Sequence, residues 1–253
     1  MTKEEALFEY LQRIGDDRLI HGHRISEWSG HGPGLEEDIA LANIALDCIG
    51  QASSLLEYAG QVENKGRDQD KLAYFRDALE YRNINLVELP KGDFGFTIAR
   101  LFLFSSFAYL HLSKLVNSAD ETLAGQAAKA LKETRYHLRH SREWVLRLGD
   151  GTDESHDRIQ KSFNELWAYT TELFYMDQVD AVLIEEKIAP DLESFREEWT
   201  KLVNETLEEA TLTVPNLPAF SINQGRKGGH TEHLGYILGE MQILPRTYPD
   251  ATW

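Results

Sequence analysis

The run Leu101–Leu110, LFLFSSFAYL, is the feature that most narrows what this chain can fold into. Arg100 and His111 bracket it, so it is too short to span a bilayer and reads as a helix buried in protein. The wider stretch from Phe94 through Asn117 contains no Asp or Glu at all. No segment of the chain shows sustained period-two alternation, so the elements that enclose this helix are expected to be helices too. Only 7 Pro and 18 Gly occur in 253 residues, which favours long uninterrupted elements.

Turn signals divide the chain into helical blocks. The first runs from about Thr2 to Trp28 and is broken by Gly30-His31-Gly32-Pro33-Gly34. The second runs from about Leu35 to Val62, with Glu36, Glu37 and Asp38 in its first turn, where the helix dipole favours acids. Leu35, Ile39, Ala42, Leu46 and Ile49 step by four and three, the spacing expected of a buried face. The connection Glu63 to Gly92 is expected to hold its own helix, with Leu72, Phe75 and Leu79 on one face. Bundle helices follow at about 93–117 and 120–148, then an aromatic helix near Asp153–Met176 and others near 178–187, 191–212 and 231–243, with 215–229 irregular. Two helices, a long crossover and two more helices is the ferritin-like order. The expectation is one all-α domain over 1–253, with a core bundle at about 2–149 and C-terminal helices at about 153–247 packed on it.

Charge and cysteine content exclude whole classes of function. The formal net charge is −16, which argues against nucleic acid and in favour of a basic protein partner. Cys48 is the single cysteine, so neither an intrachain disulfide nor a cysteine-cluster metal site can form. The N-terminal Met1-Thr2-Lys3-Glu4-Glu5 lacks an apolar targeting core, and a cytoplasmic protein free of the membrane is expected.

A ferritin-like carboxylate site takes one Glu from each of two helices and a Glu-x-x-His pair from each of the other two. The i, i+3 spacing aims both side chains of a pair at the same metals. Here the second helix offers Asp47-Cys48-Ile49-Gly50, with a glycine where the histidine belongs. The fourth offers Glu133-Thr134-Arg135-Tyr136-His137, so the ring comes one residue late. Glu27 is a possible ligand from the first helix, but the third has no acid, and one bridging carboxylate is missing. Two metal cations would find too few anionic ligands to offset their desolvation. Asp47, Glu133 and His137 are therefore read as a polar network in the bundle interior, with Arg100 and Arg135 as candidate counter-charges.

The segment Gly225-Arg226-Lys227-Gly228-Gly229-His230-Thr231-Glu232-His233 lacks the spacing of a phosphate loop, and no strand precedes it. Thr231 reads as a helix start, and His230 and His233 as loop-to-helix packing. Asn204-Glu205-Thr206 matches a glycosylation sequon but falls in a helix, and no serine or cysteine nucleophile motif stands out.

Taken together, several of these segments resemble a known family. Glu27-Trp28-Ser29-Gly30-His31, Leu41 through Asp47, Gly50-Gln51-Ala52, Lys132-Glu133, Arg135 through Arg139 and Arg147 through Thr152 look like the PaaC family, the C subunits of phenylacetyl-CoA epoxidase. So do Lys227-Gly228, His230 through Gly235 and Glu240-Met241-Gln242. The resemblance implies a ferritin-like subunit of a multicomponent monooxygenase in phenylacetate degradation. It implies that a ferritin-like sister subunit holds the di-iron centre and binds the aryl-CoA, and that a reductase delivers electrons from NADPH. It assigns this chain no catalytic residue, no cofactor and no metal of its own.

A non-catalytic supporting subunit in a hetero-oligomer is thus the leading expectation. The alternative is a ferritin-like oxidoreductase with an unorthodox metal site of its own, built from Glu27, Asp47, Glu133 and His137. The aromatic block Phe163, Trp167, Tyr169, Phe174 and Tyr175 is a candidate surface for the partner.

Overall fold

The computed structural model describes residues 1–216, 224–249 and 251. Every regular element among them is helical, as expected for an all-α fold of the ferritin-like kind. The chain forms two compact units, one made of residues 1–90 and 224–253, the other of 91–223.

The first unit is built on two long helices, α1 (Lys3–Ser26) and α2 (Leu35–Glu63). Thr2 and Glu5 close a reciprocal cap at the start of α1, satisfying backbone N–H groups that a helix start leaves open. The turn before α2 is held by the Asp38 carboxylate, which accepts from Gly32 N at 3.0 Å. The two helices run antiparallel, since Gly15 lies against Leu55 and Leu56 while Gly22 lies against Ala45 and Cys48. A Cβ at Gly22 would stand 2.9 Å from Ile49 Cγ1 and 3.1 Å from the Ala45 carbonyl oxygen, so glycine sets how closely the helices approach there.

The face of α2 that packs is not the expected one. Leu41, Ile44, Ala45, Cys48, Ala52, Leu55 and Leu56 are buried, whereas Leu35, Ile39 and Leu46 are exposed. The helix carries two apolar faces, and the closer fit of small side chains to α1 decides which one turns inward.

In the connection, α3 (Gln69–Tyr74) and α4 (Asn85–Glu88) flank a 3₁₀ turn at Ala78–Glu80. Leu72 is buried as expected, but Phe75 and Leu79 are exposed. The helix stops at Tyr74, so the periodicity that would have aligned them ends, and Arg76 turns inward instead. The C-terminal helix α10 (Glu232–Thr247) packs on α1, α3 and α4 and completes this unit.

The second unit centres on α5 (Phe94–Leu115), capped by Asp93 and buried over almost its whole length. Its partner α6 (Glu121–Gly149) runs back along it, with the Phe94 and Trp144 rings edge to face at 4.9 Å. Next come α7 (Asp153–Leu166), α8 (Gln178–Glu185) and α9 (Arg196–Glu209). The aromatic helix expected to reach Met176 ends at Leu166 and continues as a 3₁₀ helix, Trp167–Phe174. Three residues per turn put Trp167, Thr170 and Leu173 on one face, and all three are buried. Phe163 and Phe174 are buried as well, so three members of the proposed aromatic surface belong to the core. Phe107, Phe174, Phe195 and Trp199 pack together there, and Trp199 Nε1 donates to Ser106 Oγ at 2.9 Å.

Candidate functional site

The positions expected to be remnants of a metal site fall in different units. Asp47 lies on α2, half-buried, in the first unit; Glu133, half-buried, and His137, buried, lie on α6 in the second. Gly50, at the place of a histidine ligand, is exposed, and a Cβ built on it would meet nothing within 4 Å. A ligand side chain there would enter open solvent, not a closed site. Tyr136, three residues after Glu133, is partly exposed and rests against the His137 and His140 rings. Glu27 accepts from Arg24 Nη1 at 2.6 Å, so its carboxylate already has a cation. Among the described residues, no three His, Cys, Asp or Glu side chains are grouped to hold a metal ion. These residues do not fit a di-iron pair.

The expected counter-charges also differ. Arg135 is exposed, and Arg100 is fully buried with its guanidinium 5.8 Å from the Phe96 ring centroid. In the first unit the buried carboxylates are Asp16, Asp17 and Glu88, and each has a partner from far along the chain. Asp16 takes a two-pronged ion pair from Arg76 and the Arg82 backbone N–H at 2.9 Å. The Arg76 guanidinium is held above its ordinary pKa: burial works against the charge, but the adjacent Asp16 carboxylate outweighs it. It also sits 4.3 Å from the Tyr81 ring centroid, and burial pushes the Tyr81 phenol well up.

Asp17 takes Arg226 Nη1 and Nη2 at 2.9 and 2.7 Å and the Ile84 backbone N–H at 2.9 Å. Arg226 therefore points into the protein, which removes it from any phosphate-binding role. Glu88 accepts from Asn83 and Asn85, each at 3.0 Å, and from the Thr231 backbone N–H. His230 completes its shell, with Nδ1 2.8 Å from Glu88 Oε2 and Nε2 3.0 Å from the Tyr81 carbonyl oxygen. Both ring nitrogens therefore lie within hydrogen-bond reach of an acceptor oxygen. Thr231 caps α10 as expected, with its hydroxyl accepting from His233 N. His233 offers its carbonyl to Arg24 Nη2 at 3.0 Å.

These contacts form a lattice of matched charges, not an activated base or nucleophile. Each carboxylate accepts several hydrogen bonds, and Asp16 and Asp17 each face an arginine, as buried charges require. Sequence spacing does not reveal the pairs, because their members are so far apart. One local signal exists: Asp16-Asp17-Arg18 stands between Ile14 and Leu19-Ile20 in a helix with no solvated face over that stretch. Arg18 shares the pattern; burial pushes its pKa down, and it donates to Gln51 Oε1 at 3.0 Å and the Ile14 carbonyl at 2.8 Å.

A cavity of about 1020 Å³ opens beside this lattice, lined by His23, Arg67, Lys71, Tyr74, Phe75 and Met241 among others. Two of its cations are committed, Arg67 to Glu63 at 2.8 Å and Arg76 to Asp16. His23 Nε2 is buried without a hydrogen-bond partner among the described residues, and burial depresses its pKa to about 4.

Comparison with known proteins gives the arrangement its context. The family model described as "Phenylacetic acid catabolic protein" matches residues 1–253. The chain is 46% identical over 247 residues to the C subunit of 1,2-phenylacetyl-CoA epoxidase from Escherichia coli (strain K12), covering 98% of this chain and 99% of that relative.

Proposed function

This chain belongs to the phenylacetic acid catabolic protein family, and on that premise we propose that it is the C subunit of a ring-1,2-phenylacetyl-CoA epoxidase. The observation that carries this reading is the 46% identity across essentially the full length of both chains. Within such a complex its role is to support a ferritin-like catalytic subunit. That sister chain holds the di-iron pair and the aryl-CoA, and a reductase passes it electrons from NADPH. The complex works in the cytoplasm, in phenylacetate breakdown.

Three features of the chain favour a supporting role over a catalytic one. The helix α5 has no acid to bridge two metals. Gly50 replaces a histidine on an exposed face. The buried acids of the first unit are saturated by arginine, histidine and amide donors and present no free ligand. What this chain contributes chemically is a rigid helical body, since buried, fully paired charges fix one packing over its alternatives.

Reconstitution tests the proposal. Epoxidation of phenylacetyl-CoA is measured with catalytic subunit and reductase, with and without this chain. The expected result is that omission lowers turnover or the solubility of the catalytic subunit. Turnover by this chain and reductase alone, or no effect of omission on either property, would show the assigned role to be wrong.

A further inference from the structure

The helix α2 is long and apolar enough to cross a membrane by length and composition, yet only 39% of its most apolar window is buried; the corresponding window of α5 is 83% buried. The unburied part is ordered. Leu35, Ile39 and Leu46 are 72%, 53% and 67% exposed, and Asn43, Gly50 and Ser53 on the same side are exposed too. With half-buried Ala42 and Ile49, these positions step by four and three along about 27 Å of helix. That is the spacing of a seam between two packed helices, and the small residues Ala42, Gly50 and Ser53 let a second backbone come close. Apolar surface in such a continuous line marks an interaction site.

We propose that this outer seam of α2 docks a helix of another subunit of the epoxidase, one that flanks an apolar stripe with Lys or Arg; the inference rests on the subunit reading above. The charge of the helix selects the occupant. Residues 35–63 include Glu36, Glu37, Asp38, Asp47, Glu57 and Glu63 and no Lys, Arg or His. A second copy of this chain would bring acidic rim against acidic rim, at a net charge of −16 on each side. A membrane surface is disfavoured on the same ground, because helices that lie on anionic lipid carry basic polar faces. A basic partner subunit satisfies both the seam and its rim.

The test is the affinity of the full-length chain for the purified catalytic subunit, measured by calorimetry. The double variant Ile39→Asp/Leu46→Asp is compared with wild type and with Leu79→Asp, an exposed apolar site off the seam. The double variant is expected to raise Kd at least about 100-fold, because apolar anchors at the centre of an interface dominate its energy. Leu79→Asp is expected to stay within about twofold, and higher salt to weaken the wild-type complex. Hydroxyl-radical labelling of the wild-type chain gives an answer that no variant can confound: Leu35, Ile39 and Leu46 should be protected in the complex. Equal affinity of wild type and double variant, or no protection, overturns the seam and leaves the subunit reading standing. No binding by wild type overturns the subunit reading itself. A homodimer lost in the double variant, or binding to phosphatidylglycerol vesicles, would give the seam to another occupant and overturn the proposal.

Discussion

Asp17 and Arg226 stand 209 positions apart in the chain and meet in a buried, two-pronged ion pair. The same guanidinium donates to the Arg13 and Arg82 carbonyls, at 3.0 and 2.8 Å, so one side chain ties the C-terminal segment to α1 and to the stretch before α4. Removing either partner strands a charge in the interior. Arg226→Ala and Asp17→Ala are each expected to lower unfolding free energy by about 3–5 kcal/mol, read from urea denaturation. Asp17→Leu/Arg226→Met should recover most of that loss, since replacing a buried pair by apolar groups costs far less than breaking it.

Glycine positions separate tight from open packing. A Cβ at Gly149 would overlap the Ala210 carbonyl oxygen, where the end of α6 meets the end of α9. Backbone cannot yield as a side chain can, so Gly149→Ala is expected to cost about 1–3 kcal/mol in thermal or chemical unfolding. Gly125 on α6 is exposed, with nothing within 4 Å of its added Cβ. Gly125→Ala is expected to gain about 0.5–1 kcal/mol from helix propensity. Opposite signs from one substitution type are the outcome to look for.

The depressed His23 gives a pH dependence of known sign. Burial lowers its folded pKa from 6.5 to about 4, so the unfolded chain takes up the proton first as pH falls. The stabilising contribution is present above about pH 6.5 and is lost as pH falls toward 4, by about 3 kcal/mol at full loss. His23→Gln should flatten that part of the stability profile relative to wild type. Parallel profiles would show that this ring is not buried in its neutral form.

Iron loading bears directly on the metal question. After anaerobic incubation with ferrous iron and gel filtration, elemental analysis is expected to find less than stoichiometric iron on the purified chain. The basis is the acid-free α5 and the open environment of Gly50. Two tightly held irons per chain would restore the alternative of an oxidoreductase with its own site.

The order of the long helices was legible in the sequence because glycine, proline and capping residues punctuate it. Thr2, Asp93, Asp120, Thr152 and Thr231 all cap helices in the structure. The inward face of α2 was not legible. Leu35-Ile39-Leu46 and Leu41-Ile44-Cys48 are equally apolar, and only packing against Gly15 and Gly22 distinguishes them. The break at Trp167 was hidden for a related reason, as period three and period 3.6 differ little over two turns. The charge lattice escaped because its pairs join residues 60 to 209 positions apart. Asp47, Glu133 and His137 drew attention because they match a template. Asp16, Asp17 and Glu88, which match none, are the carboxylates that the first unit buries.

The discontinuous make-up of the first unit has a consequence during biosynthesis. Residues 91–223 are contiguous, so that unit can close while translation continues. Asp17 and Glu88, by contrast, leave the ribosome before Arg226 and His230 exist. At ordinary elongation rates the interval for Asp17 is roughly 10–40 s. Through it α1 cannot complete its native burial without stranding a carboxylate, and the nascent N-terminal half stays open to chaperones. A chain stalled before its last thirty or so residues holds Asp17 and Glu88 but lacks the Arg226 and His230 side chains that meet them in the interior, which marks it for proteolysis.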